Sequence, residues 1–106
     1  MKFNKYTRFN QPYWFSGIYK ISQYTWFQGH DCEPYYHIYK AVNSGKQWGN
    51  FVGGNSTQMD KKLTFDECVK LAESHAKTYA PTKHELKNAE IAMKSWIGMD
   101  KDLNGG

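Results

Sequence analysis

Aromatic and β-branched residues in the first half of the chain occur in short runs, separated by Gly, Asn, Asp and Pro. Such runs predict strands, because branched and aromatic side chains pack well on a pleated surface. The turn NSGK, with Gly45 available for a positive φ, is expected to join the second run to the third as a hairpin. The three predicted strands cover residues 17–27, 35–42 and 47–53.

The segments around these strands lack a regular period. Residues 1–16 hold Asn, Gln, Pro and scattered aromatic residues, and we expect an irregular or partly extended arm there. Residues 28–34 include Gly29 and Pro34, which interrupt regular structure and predict a loop. A second polar loop is expected at residues 54–62.

The second half of the chain changes to helical periodicity. Thr64 and Glu67 form a T-x-x-E capping box, and Thr82 and Glu85 form another. The first helix is expected to end before Pro81, because the residue preceding a proline avoids helical geometry. Apolar residues at helical spacing predict the buried faces: Phe65, Cys68, Val69, Ala72, Ala76 and Tyr79 in the first helix, and Leu86, Ala89, Met93, Trp96 and Ile97 in the second.

The predicted element order is β-β-β-α-α, an α+β fold in which two helices follow a three-stranded antiparallel sheet. The first helix is expected to cover one sheet face. The second either packs beside the first or extends away and offers Trp96 to a partner. The predicted organisation is an irregular arm at 1–16, a single α+β domain at 17–98 and a flexible tail at 99–106.

Period-two alternation divides the strand at 35–42 into two sets of side chains. One set is apolar enough to lie under the first helix, so we expect the other to point outward. As an alternative, Tyr35 and Tyr39 lie flat under the N-terminal arm, with buried rings and solvent-exposed hydroxyls. The first set is Tyr36, Ile38, Lys40 and Val42, and the second is Tyr35, His37, Tyr39 and Ala41.

The 106 residues are enough for one domain with a core, and aromatic residues supply 17% of them. The net charge of +4 permits nucleic acid or an acidic protein as partner, but Arg8 is the only arginine. Arginine is the residue that most often recognises bases and phosphates in specific binding. The mainly lysine-based positive charge of this chain is therefore more typical of solubility or of weak nonspecific attraction to a partner. Without a signal peptide or a long apolar run, we expect a protein of the cytoplasm with no membrane partner, in which Cys32 and Cys68 are free thiols.

Motifs that carry chemistry are weak in this sequence. The spacing of His30, Cys32 and His37, even with Cys68 and His75, does not supply the paired ligands of a zinc site. Cys68 falls in a first helical turn, where a thiol can be activated, but its place on the apolar stripe favours a buried small hydrophobe. With no nucleophile, phosphate-loop or metalloprotease motif, we expect a non-enzymatic protein without cofactor or metal.

The stretches YYHIYKAVNSGKQWGNFVGG and LTFDECVKLAESHAK together resemble a pattern found in small phage and prophage accessory proteins. That pattern begins with an aromatic strand, a Gly turn and a strand around W-x-x-F. A loop follows, and then a helix that begins T-F-D-E-A. In this chain Cys68 occupies the position where Ala is usual. The resemblance covers residues 35–77. It implies a protein that takes over or inhibits a host protein, as anti-CRISPR proteins do. It does not assign a functional role to any residue of this chain.

Three functions are consistent with the sequence. The first is a phage-encoded inhibitor or adaptor in the host cytoplasm that binds a host protein or nucleoprotein complex, because Tyr and Trp are the usual anchors of interfaces. The second is a single-stranded or nonspecific nucleic-acid binder that stacks bases on the same aromatics. The third is a structural protein whose aromatic face joins copies into a homo-oligomer. The predicted partner-binding residues are Tyr35, His37, Tyr39, Lys46, Trp48 and Trp96.

Overall fold

The structure is a computed structural model that describes residues 1–41, 48–50 and 62–103, with side chains described for residues 1–41 and 62–95. It has the expected α+β class, an antiparallel sheet followed by two helices. The sheet has more than the three strands expected: four of five or more residues and a short fifth, side by side in chain order. The strands are β1 (Asn4–Arg8), β2 (Gln11–Ser16), β3 (Tyr19–Phe27), β4 (His30–Ala41) and β5 (Trp48–Asn50), and the helices are α1 (Phe65–Thr78) and α2 (Lys83–Leu103).

The expectation of an irregular arm at residues 1–16 is wrong, because β1 and β2 form an antiparallel hairpin within the sheet. Their two-residue turn is Phe9–Asn10, and both residues have positive φ, 53° and 63°. Two-residue hairpin turns of this kind usually carry Asn or Gly at both positions. Phe9 therefore gave no turn signal, and Pro12 near the start of β2 suggested a break in the strand.

The predicted loop at 28–34 is also wrong in extent. The turn between β3 and β4 consists of Gln28 and Gly29, with φ of 50° and 86°, and β4 begins at once with His30. The pairing of β3 with β4 shifts register between Tyr24 and Trp26. Such an irregularity accommodates Pro34 in β4, because a proline that cannot donate to the ladder is tolerated at a bulge.

The strand predicted at 35–42 is confirmed through Ala41 as the second half of β4. The strand predicted at 47–53 is represented by β5, in which Trp48 pairs with Ala41 and Asn50 with Tyr39. The predicted turn at 43–46, the remainder of that third strand and all but the last residue of the predicted loop at 54–62 lie outside the described residues.

Helix α1 begins as its capping box predicts. The Thr64 hydroxyl accepts from the Glu67 N–H at 3.1 Å, and the Glu67 carboxylate accepts from the Thr64 N–H at 2.8 Å. Cys68 and Ala72 are fully buried on the predicted apolar face, whereas Ala76 is exposed. The helix ends at Thr78, before Pro81.

Helix α2 starts at its own capping box, with Thr82 and Glu85 exchanging hydrogen bonds of 3.1 and 3.0 Å. It continues through Leu103, so the expected end near residue 98 is wrong, and of the predicted tail 99–106 only 104–106 lie outside the described residues. Of the predicted buried stripe, Ala89 is confirmed, but Leu86 is 48% exposed, and Glu85 and Ala92, which were not part of the stripe, are buried. The small alanines allow α2 to contact β1 and β4, so its described part packs on the sheet rather than projecting.

Helix α1 covers one face of the sheet, called the helix face. Ile21 and Ile38 lie opposite each other on β3 and β4 and are fully buried there with Cys68 of α1. The Phe65 ring makes edge contacts with Trp14 and Tyr36, with ring centroids 4.9 and 5.6 Å apart. Aromatic residues therefore fill the edge of the core. In the part of the chain that the structure describes, neither helix is both long and apolar enough to cross a membrane.

Candidate functional site

The opposite face of the sheet, called the tyrosine face, is built by residues that alternate with the core positions of β2, β3 and β4. The strand register places Tyr13 beside Ser22, Lys20 beside Tyr39 and Tyr24 beside Tyr35. Period-two alternation keeps these side chains away from α1. The tyrosine face consists of Tyr13, Lys20, Ser22, Tyr24, Tyr35, His37 and Tyr39.

Aromatic rings lie flat across part of this face. Tyr24 stacks on Tyr35 with ring centroids 5.5 Å apart, and the His37 ring lies 5.0 Å from Tyr24 and 6.5 Å from Tyr39. The Tyr35 hydroxyl donates to the Trp26 carbonyl at 2.7 Å. These contacts leave Tyr35 8% and His37 6% exposed, so neither presents its ring to a partner.

Lys20 lies among the tyrosine rings and is only 6% exposed. Its Nζ is 4.9 Å from the centroid of the Tyr39 ring and 5.8 Å from that of Tyr13, within range of a cation–π interaction. Burial, and secondarily the nearby Arg8 guanidinium, lower the pKa of Lys20 to about 8. Its ammonium group therefore carries a charge at neutral pH in a poorly solvated position.

A solvent-open pocket of about 400 Å³ lies on the tyrosine face and is lined by residues of β2 and β3 and by Tyr39 of β4. This volume is within the range of small-ligand sites. Trp26, which is 59% exposed, lies at its edge, and a hydrogen bond of 2.8 Å from the Gln11 side chain to the Gln23 carbonyl ties its β2 and β3 walls together. The lining residues are Gln11, Tyr13, Lys20, Ser22, Gln23, Tyr24, Thr25, Trp26 and Tyr39.

The hydroxyls of Tyr24 and Tyr39 form a hydrogen bond with each other within this lining. Burial and this hydrogen bond raise the pKa of Tyr39 well above its usual range, so its hydroxyl stays protonated. Together with the Ser22 hydroxyl and the Lys20 ammonium, the pocket offers several donors and no described carboxylate.

The structure brings together only some of the residues predicted for partner binding. Tyr39 is half-buried and lines the pocket. Tyr35 and His37 lie on the face away from α1 as expected, but neighbouring rings bury them there. Of the alternative, the burial of the Tyr35 ring is confirmed, but rings of β3 and β4 rather than an N-terminal arm pack on it, and its hydroxyl donates to the Trp26 carbonyl. Of the remaining predicted residues, Lys46 lies outside the described residues, and so do the side chains of Trp48 in β5 and Trp96 in α2.

Sequence reasoning missed Trp26, Tyr24, Tyr13 and Lys20. Alternation within β3 already places Lys20 on the same face as Tyr24, and this signal was available in the sequence. Trp26 was not predictable in the same way, because the irregular pairing after Tyr24 determines where its side chain points. Tyr13 lies in the segment expected to be irregular.

A second polar cluster lies on the helix face and differs in character. The fully buried Glu85 carboxylate accepts from Lys40 and from the Tyr79 hydroxyl, and Tyr19 is hydrogen-bonded to His75 at 2.8 Å. Burial and the nearby Lys40 charge lower the pKa of His75. We assign this cluster to the joining of α1 and α2 to the sheet, because it links all three.

The residues considered for metal or nucleophilic chemistry do not converge. Cys68 is fully buried under α1, and burial raises the pKa of its thiol to about 12, so it acts as a small core residue. Cys32 is partly buried, and both cysteines are free thiols. Over residues 1–41 and 62–95, His, Cys, Asp and Glu side chains form no group of three that could hold a metal ion.

No protein-family model, curated protein or solved structure matches this chain. The site is therefore interpreted from its geometry alone. An exposed Trp beside half-buried Tyr rings and a buried ammonium group can hold an apolar or planar group and an anionic one at the same time.

Proposed function

We propose that this chain is a non-enzymatic binding protein that holds a partner protein against its tyrosine face. The single observation that carries the proposal is Trp26, which is 59% exposed at the edge of a pocket lined by Tyr13, Tyr24 and Tyr39. Exposed tryptophan next to tyrosine is the composition of interface hot spots, in which a few large rings provide most of the affinity. The resemblance to phage accessory proteins makes a host protein, such as a defence component, the first class of partner to test.

The rigidity of the surface supports this proposal. The Tyr24 ring is held by stacking on Tyr35 and by its hydroxyl bond to Tyr39, and the Tyr35 hydroxyl holds the backbone at Trp26. Rings that are already fixed lose little conformational freedom on binding. Tyr35 and His37 thus contribute beneath the surface, as supports for the rings that a partner would contact.

The distribution of charge favours a protein over nucleic acid. Among the described residues, Lys20 and Arg8 lie near the pocket, and Lys20 is 6% exposed. One exposed lysine, Lys62, lies over the neighbouring Phe27 ring at 4.6 Å. Five exposed lysines lie instead on the helices, at positions 70, 77, 83, 87 and 94. A strand binder needs accessible cations that follow the phosphate backbone next to its stacking rings.

Single-stranded nucleic acid remains the second candidate, because Lys20 and Arg8 do lie beside aromatic rings on an antiparallel sheet. The two candidates differ in their salt dependence. Release of counterions makes phosphate binding weaken steeply as salt rises, whereas an interface centred on Trp26 should weaken little.

The testing experiment compares Trp26→Ala with Leu86→Ala in quantitative affinity capture from bacterial lysate, with and without nuclease and at two salt concentrations. Leu86 is 48% exposed on α2 and provides a loss of exposed apolar surface away from the pocket. We expect one protein to be captured by the wild type and by Leu86→Ala, to survive nuclease and salt, and to be lost from Trp26→Ala.

Equal capture by Trp26→Ala and the wild type would contradict the proposal. Loss of all capture after nuclease treatment would favour the nucleic-acid candidate instead. A protein that captures only its own copies, with a mass that rises with concentration, would indicate that the face joins a homo-oligomer.

A further inference from the structure

The turn between β1 and β2 exposes a large apolar ring at the same end of the sheet as Trp26. Phe9 is 61% exposed and Trp26 is 59% exposed. We propose that Phe9 is a second anchor of the partner interface, so that the partner protein lays an apolar surface across the tips of two hairpins. This inference rests on the proposed function and deepens it, because it states the breadth and the chemistry of the surface that the partner must offer.

The sheet topology places the two rings at one end. Because antiparallel strands in chain order reverse direction at each turn, the β1–β2 and β3–β4 turns lie at one end of the sheet and the β2–β3 turn at the other. Gln11, directly after the first turn, lines the same pocket as Trp26, and its side chain donates to the Gln23 carbonyl at 2.8 Å. Two strand spacings, roughly 10 Å, separate β1 from β3, a distance that one protein interface spans.

The backbone at Phe9 supports the same role. Its φ is 53°, a conformation in which the Cβ of a bulky residue approaches the following carbonyl oxygen. Asn or Gly would adopt this turn at lower cost and would also place less apolar surface in water. Phe9 is therefore unfavourable for the unbound protein in two ways, and local strain of this kind is typical of residues at ligand contacts. Burial of the ring against a partner would offset these costs.

The Phe9 ring also has a neighbour that restrains it. The Arg8 guanidinium lies over the ring at 5.3 Å from its centroid, within range of a cation–π interaction. A restrained aromatic ring loses little conformational freedom on binding. An apolar ring bordered by a polar group fits a partner surface with an apolar centre and a polar rim, the usual anatomy of a protein interface.

The test uses the partner protein that the capture experiment isolates, purified and titrated against two variants of the same turn. Phe9→Asn removes the ring and suits the positive φ, whereas Asn10→Gly changes the neighbouring residue, whose φ is 63°, and keeps the ring. Calorimetric titration measures the affinity of each variant, and thermal unfolding measures its stability. Cross-saturation NMR on the wild-type complex reports which protons of this chain lie against the partner.

We expect Phe9→Asn to bind about tenfold or more weakly while melting at or above the wild-type temperature, because it loses an anchor and relieves strain. Asn10→Gly should bind like the wild type. A loss of affinity without a loss of stability cannot come from damage to the fold. Cross-saturation should reach both the Phe9 ring and the Trp26 indole.

Unchanged affinity of Phe9→Asn, or cross-saturation that reaches Trp26 and not Phe9, would overturn the inference and leave partner binding at Trp26 in place. If Phe9→Asn does not fold, the wild-type cross-saturation decides alone. Sedimentation of the wild type, but not of Phe9→Asn, with phosphatidylglycerol vesicles would replace the protein partner at this tip by a lipid surface.

The proposed function fails in a different way. An affinity that falls for Phe9→Asn but not for Trp26→Ala would contradict the role of Trp26 and leave that of Phe9. A wild-type protein that captures no partner would remove both.

Discussion

Lys40 in β4 and Glu85 in α2 form an ion pair in which the Glu85 side chain is fully buried. The other carboxylate oxygen accepts from the Tyr79 hydroxyl and, at 3.0 Å, from the Thr82 N–H. Both oxygens therefore have partners, which a buried charge requires. The pair joins residues 45 positions apart and fixes the start of α2 against the sheet.

Replacing Glu85 by Gln should lower the free energy of unfolding by about 3 kcal/mol, because it leaves the partly buried Lys40 ammonium without its counter-charge. Urea denaturation followed by circular dichroism measures the change. Glu90→Gln on the same helix is the control, since Glu90 pairs with Lys94 at 2.9 Å with both side chains exposed. Its midpoint should not move. Equal effects of the two substitutions would contradict the structural role of Glu85.

The same pair should give the protein a specific acid sensitivity. Burial alone raises the pKa of Glu85, but hydrogen bonds from Lys40, Thr82 and Tyr79 outweigh it and lower the pKa to about 2. The unfolded chain, with a value near 4.5, then binds the proton more readily than the folded chain. Stability from this group is complete above about pH 4.5 and is lost as the pH falls through about 2.

Urea midpoints measured for the wild type and for Glu85→Gln from neutral pH down to about pH 2 test this expectation. The wild type should lose stability more steeply than the variant below about pH 4.5, so the difference between them should shrink with acid. If the urea midpoints of the two proteins changed in parallel with pH, Glu85 would have the same pKa in the folded and the unfolded chain.

The helices were the most predictable part of the fold because their signals are local. Thr64 and Glu67, three residues apart, are enough to specify a capping box, and the hydrogen bonds are present as predicted. Glu85 was predicted as a capping residue and is one, but its burial against Lys40 depends on a strand 45 residues away. No short window of sequence contains that information.

The turn at Phe9 should carry measurable backbone strain. A bulky residue at a φ of 53° is an outlier, because its Cβ approaches the following carbonyl oxygen. Phe9→Gly should therefore be more stable than Phe9→Ala by about 1 kcal/mol, since both remove the ring and only Gly removes the Cβ. Thermal unfolding of the two variants provides the comparison. Equal stabilities would mean that the turn relaxes to accommodate a side chain.

The two cysteines should differ sharply in reactivity. Burial, and secondarily Glu67, raise the pKa of Cys68 to about 12, and its side chain is fully buried, whereas Cys32 is only partly buried. A thiol-exchange reagent at neutral pH should label one equivalent in the native protein and a second only in denaturant, because the thiolate is the reactive form. Cys32→Ser should abolish the native-state labelling. Two equivalents labelled at similar rates would contradict the packing of α1.

The tyrosine face was harder to predict than the helices for a physical reason. Alternation correctly assigned Tyr35, His37 and Tyr39 to one face of β4, but it cannot tell whether a neighbouring strand covers a ring. Tyr24 lies on Tyr35 because of the β3–β4 register, which the misplaced loop at 28–34 concealed. Exposure at Trp26 follows from the same register shift.

The chain-order arrangement of the strands also determines how the protein reaches its folded state. Every strand pairs with its neighbour in sequence, and the first three connections are two-residue turns. Such contacts close small loops at low entropic cost, so β1 to β4 can form one hairpin at a time without waiting for distant segments. The Lys40–Glu85 contact closes a far longer loop, and we expect the helices to dock after the hairpins have formed.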